Sequence, residues 1–168
     1  TLGNHDYGGC VFGKCGAGWE FEKSAAQVEY TLRSSKWTMP AEYYSFIEQH
    51  VQFFALDTNA MMWDPWYSSA DDQHQWMTEQ LQQPSETKWK IAFGHHPFRS
   101  NGQHGNAGSY EGLEWMKRAH IASVAIGRGV EDFFEQHLCQ KVDVYLSGHD
   151  HNRQWLDPYC NVELIVTG

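Results

Sequence analysis

The sequence predicts a layered α/β fold, and three observations carry that reading. Four short runs are β-branched or aromatic and bounded by turn residues, two amphipathic stretches fall between them, and two Gly-rich polar segments interrupt the pattern. The runs are VQFFALD (Val51–Asp57), KWKIAFG (Lys88–Gly94), VDVYLSG (Val142–Gly148) and VELIVTG (Val162–Gly168). Between the first two lies SADDQHQWMTEQLQQP, read as a helix. Asp71 or Ser69 caps it, Trp76, Met77, Leu81 and Gln80 form one face, and Pro84 stops it. Before the third run, GVEDFFEQHLCQK reads as a second helix, with Val130, Phe133, Phe134, His137 and Leu138 on one side. The Gly-rich segments are NHDYGGCVFGKCGAG near the start and RSNGQHGNAGSYEG after the second run. Segments of this kind, following strands, are where α/β proteins build their sites.

A chain of 168 residues with 41% apolar content suits one domain with a real core. The opening TLGNHDYGG and the closing ELIVTG read as cuts, so the expectation is a single domain over residues 1–168, incomplete at both ends. A net charge of −9 argues against a broad nucleic-acid footprint, which needs clustered Lys and Arg. No run is long enough to cross a membrane, and no feature specifies an oligomeric state. Cys10, Cys15, Cys139 and Cys160 lack CxxC spacing, which disfavours zinc-finger and thioredoxin readings. They read either as buried thiols or as two disulfides, Cys10 with Cys15 and Cys139 with Cys160. The second alternative places the chain in an oxidising compartment, secreted, periplasmic or lumenal.

Histidine placement is more telling than histidine number. His95 and His96 follow the second run, His149 and His151 follow the third, and His5 sits in GNHD. A glycine precedes each His or Asn-His, which lets the backbone turn sharply beyond the strand end. Imidazoles converging with an amide oxygen suit iron, zinc or manganese.

GNHD (Gly3–Asp6), GHHP (Gly94–Pro97) and GHDHN (Gly148–Asn152), in that order, resemble the last three metal-binding motifs of the calcineurin-like metallophosphoesterases. More narrowly, ALDT, QHQWMTEQL, GHHPFRSNGQHG and VDVYLSGHDHNRQWL look like the small, tartrate-resistant type of purple acid phosphatase. The resemblance implies the carboxyl-terminal part of a four-layer α-β-β-α sandwich. It implies that Asn4, His95 and His149 bind one metal and His151 a second. The metals would be Fe(III) plus Fe, Zn or Mn. His5 and His104 would act on the substrate phosphate and the leaving group, His96 would either support the ligands from behind or be structural, and Asp6 and Asp150 would orient ligands. The implied reaction is hydrolysis of a small phosphate monoester by metal-bound hydroxide. A diesterase or nuclease of the same superfamily and a non-catalytic scaffold are the alternatives. Two aspartates and a tyrosine that the family draws from motifs before GNHD fall outside this sequence. Tyr7, Trp19 and Tyr110 are either core residues or contacts for the organic part of a substrate.

Overall fold

A computed structural model describes residues 1–11, 14–64, 69–112 and 127–168. In chain order the elements are α1 (Asn4–Tyr7), β1 (Cys10–Val11), β2 (Lys14–Cys15), α2 (Glu22–Glu29), β3 (Tyr44–Glu48) and β4 (Val51–Ala55). They continue with α3 (Thr58–Met62), α4 (Ser69–Gln82), β5 (Trp89–Phe93), α5 (Arg128–Phe133), β6 (Val144–Ser147), β7 (Arg153–Tyr159) and β8 (Val162–Thr167). β1 and β2 make a small ribbon, and the other strands form one sheet in the order β3-β4-β5-β6-β8-β7. The four runs expected from sequence are its parallel centre, β4, β5, β6 and β8. β3 and β7 flank them antiparallel, giving a mixed α/β sheet consistent with the metallophosphoesterase sandwich expected from the motifs.

Alternation within the strands sorts the two faces. Phe54, Ala92, Tyr145 and Leu164 follow one another across the sheet, each no more than 2% exposed. They join Met77 of α4 and Phe133, Phe134 and Leu138 of α5 and its extension in one core cluster. Phe134 stacks on Phe98 at 3.8 Å between ring centroids. On the opposite face Phe93, Leu146 and Ile165 form a row that is only half buried, ending at the exposed Trp155.

Both helices fall where the apolar spacing places them. α4 buries Met77 completely and lays Trp76 and Leu81 against the core. Its capping position and the Ser69 side chain lie outside the described residues, and Asp71 stands in the first turn. Gln80 turns to Ser45, whose hydroxyl donates to its Oε1 at 2.6 Å. α5 buries all five residues of its expected face, but its last turn, Phe134–Leu138, widens to π geometry, with Cys139 N donating to Phe134 O at 3.1 Å. Cys139 is cross-linked to Cys160, and Cys10 to Cys15, so the disulfide alternative holds. Among the described residues no helix is long and apolar enough to cross a membrane.

Candidate metal centre

The parallel register brings three strand ends level: Ala55 pairs with Phe93, and Phe93 with Leu146. The ladder runs on into the His-bearing turns, with Gly94 N donating to Leu146 O at 3.0 Å and Gly148 N to His95 O at 2.9 Å. His95 and His149 are thereby held beside each other, with His95 Nε2 3.0 Å from His149 Nδ1.

Asn4 arrives from a separate turn. Gly3 N donates to Asp6 Oδ2 at 2.9 Å, and this carboxylate closes the first turn of α1. A Cβ at Gly3 would lie 2.7 Å from the His95 ring, so the close approach requires glycine. The Asn4 amide nitrogen donates to Gly16 O at 2.5 Å. A carbonyl can only accept, so the amide is fixed with Oδ1 on the other side, 2.9 Å from His95 Nε2.

His96 faces away from solvent, 2% exposed. The Thr58 hydroxyl accepts from His95 N at 3.1 Å and His96 N at 3.0 Å, which leaves its own proton to reach His96 Nδ1 at 3.0 Å. Burial holds the His96 imidazole well below its ordinary pKa, so it stays neutral. Burial is also the main reason His95 is pushed down to about 4, with His5, His104 and His151 adding charge repulsion. His149 is pushed down to about 3 by burial, then by His95 and His104. Neutral imidazoles keep the lone pairs a metal requires.

The spacing of these donors fits a shared cation. N and O ligands at about 2.0–2.1 Å from a metal stand about 2.9–3.4 Å from one another, from octahedral to tetrahedral geometry. Asn4 Oδ1 and His149 Nδ1 both lie at that distance from His95 Nε2. His95, His96 and His149 each bring one ring nitrogen within 4.8 Å of the others.

Other residues surround this cluster. His104 lies against His149, with ring centroids 4.2 Å apart, and its Nδ1 bonds Glu111 Oε1. Asp150 is 1% exposed; Oδ1 accepts from His104 N at 2.9 Å, while Oδ2 has no partner among the described residues. His5 is exposed, with its ring laid over Gly16, and His151 is exposed at the rim. Among the described residues no carboxylate or imidazole closes a second cluster around His151. Tyr7 and Tyr110 are core residues, their hydroxyls bonded to Asp57 and to Pro97 O. Trp19 is 43% exposed.

Sequence reasoning gave no role to Thr58, Gln73, Gly16 or Glu111. Thr58 was visible within ALDT. Gln73 holds the Asp57 backbone from both sides, accepting at 2.9 Å and donating at 3.1 Å, and a glutamine on a polar helix stretch gives no sign of that.

Comparison with known proteins places this geometry in context. A family model for calcineurin-like phosphoesterases matches residues 1–153. Purple acid phosphatase 4 of Arabidopsis thaliana is 29% identical over 171 residues, which covers 90% of this chain and 40% of that protein. The chain thus spans about two fifths of the length of the curated relative it matches. Among solved structures, GAP50, the anchor in the inner membrane complex of Plasmodium, superposes with a TM-score of 0.53 at 18% identity. That match covers 84% of this chain and 43% of the other.

Proposed function

Because the chain belongs to the calcineurin-like phosphoesterase family, we propose that its protein hydrolyses small phosphate monoesters with metal ions held at the strand ends. The observation that carries this reading is the convergence of Asn4 Oδ1 and His149 Nδ1 on His95 Nε2 at 2.9 and 3.0 Å. Asn4, His95 and His149 would hold one metal, and His151, at the rim, a second. Such ions supply Lewis-acid polarisation of a phosphoryl oxygen and acidify a bound water.

The chain's own residues supply orientation and proton handling. Gly16 O and Thr58 Oγ1 fix the ligands: the first sets the Asn4 amide, the second the backbone of His95 and His96. His104, packed on His149, meets the leaving oxygen, and the exposed His5 faces the phosphoryl oxygens. Asp150 ties the His104 backbone to the GHDHN turn. The relative named as a purple acid phosphatase supports the monoesterase reading, and Fe(III) paired with Fe, Zn or Mn is the metal content proposed with it. Two disulfides support work in an oxidising compartment, secreted or lumenal.

The test compares p-nitrophenyl phosphate with bis(p-nitrophenyl) phosphate, using metal-loaded full-length protein. Faster turnover of the monoester is expected, and His104→Ala should lower it by about 10²–10⁴-fold at unchanged metal content. Preference for the diester would instead make the protein a diesterase, and undiminished turnover in His104→Ala would remove that residue from the mechanism.

A further inference from the structure

His104 packs its ring on His149 but makes no hydrogen bond to the cluster among the described residues, so packing alone does not settle which nitrogen it presents. Its backbone is tied down by Asp150, but a backbone bond leaves the side-chain torsions free. Among the described residues, the one side-chain bond to its ring comes from Glu111 Oε1 at Nδ1.

Glu111 is held for that contact by three independent constraints. Its φ is 58°, in the left-handed region that a side-chain-bearing residue adopts only when its surroundings impose it. Its N–H donates to His104 O at 2.9 Å, which closes the loop upon itself. The preceding residue, Tyr110, is 2% exposed and anchored by its hydroxyl to Pro97 O, directly after the GHH motif. A fixed anchor followed by a left-handed residue turns the carboxylate back towards the imidazole. Half of the Glu111 side chain is solvent-exposed, so the contact contributes little to folding, and its value lies in direction.

We propose that Glu111 is the positioning residue for His104: by accepting the Nδ1 proton it fixes the ring plane and leaves Nε2 facing the cluster. A carboxylate behind an imidazole performs this orienting role in hydrolytic triads on unrelated folds. The proposal rests on the monoesterase reading for its kinetic consequence. There, the oxygen of water forms a bond to phosphorus as the bond to the leaving oxygen breaks. The electron pair stays on the leaving oxygen, which takes the Nε2 proton of a His104 ring protonated on both nitrogens; the ring is left neutral with Nδ1–H on Glu111, and the proton shed by the attacking water goes to solvent. A misdirected ring should therefore matter most where the leaving oxygen is most basic.

The experiment uses full-length protein in three forms: wild type, Glu111→Ala and Glu111→Gln. Gln can still accept the Nδ1 proton through its amide oxygen, without charge. In metal-loaded protein, Glu111→Ala should lose about 10–100-fold in kcat on an alkyl phosphate, as loss of an orienting partner does elsewhere. The loss on p-nitrophenyl phosphate should be smaller, and Glu111→Gln should recover most of the alkyl activity. Independently of activity, ¹⁵N shifts of the His104 ring in metal-free protein should report Nδ1–H in wild type and Glu111→Gln, and lose that signature in Glu111→Ala. An equal loss on both substrates, or an unaltered ring signature in Glu111→Ala, overturns the proposal. An altered signature in a protein that hydrolyses neither ester would uphold the positioning and defeat the monoesterase reading instead.

Discussion

At the scale of single residues, the cluster is defined by which atoms can accept and which can donate. Asn4 is useful because Gly16 O takes its amide protons and leaves its oxygen for His95. Thr58 matters for the converse reason, since one hydroxyl satisfies two backbone donors and a buried imidazole. Thr58→Val keeps the shape and removes every one of those bonds. It should cost about 1–3 kcal/mol for each donor left unpaired, read as a lower denaturation midpoint of the full-length protein. His95 and His149 also make a pH prediction. Their pKa values fall from 6.5 to about 4 and about 3 on folding, chiefly through burial. Between those values and 6.5 the unfolded chain binds more protons than the folded one, so stability rises with pH across that window and is lost as pH falls through it. Metal-free protein should show this slope, and His95→Gln should flatten it; an equal slope in both would contradict the assigned cause.

At the scale of elements, the disulfide ribbon β1–β2 positions a ligand without supplying one. Gly16, next to Cys15, has φ of 87° and a Cβ there would lie 2.4 Å from the His5 ring. Its N–H is tied to Gly9 O at 2.8 Å. Replacing Cys10 and Cys15 by serine should leave the sheet folded and weaken metal affinity by about 10–100-fold, measured by competition with a chelator. An unchanged affinity would show that Gly16 is held in place without the cross-link. The widened turn after α5 has a separate, purely structural duty. Phe134 packs between Phe98, Tyr145 and Tyr159. Phe134→Ala should cost about 3–5 kcal/mol, seen as a shift in unfolding midpoint at constant slope.

The parallel strands and the helices α4 and α5 were legible because their patterns are local: an apolar run, or a 3.6-residue period. The flanking strands and α2 were not. β7 contains Pro158, which a central strand excludes and an edge strand at a bulge tolerates. The β7–β8 turn places Cys160 and Asn161 at φ of 45° and 67°, where sequence alone suggests only Asn. The three motifs brought Asn4, His95 and His149 into view because a glycine precedes each His or Asn-His, whereas His104 came only from the resemblance of GHHPFRSNGQHG. Gln73, Gly16 and Glu111 act through contacts made 12 or more residues away or through an unusual backbone angle, and no spacing announces either.

For the whole molecule, the sheet divides the labour. One face, sealed by α4 and α5, is the base; the carboxyl ends of β5 and β6 carry His95 and His149, Thr58 after β4 supports them, and Asn4 comes in from α1. The half-buried row of Phe93, Leu146 and Ile165 lies on the other face, beneath the same strand ends. Under the proposed function, the atoms meeting at His95 Nε2 hold a metal on which phosphomonoester turnover depends. Metal content per chain of full-length protein, wild type against His95→Ala, tests it most directly. One metal equivalent should be lost, with monoester turnover falling alongside it. A variant that keeps the full complement of metal would contradict it.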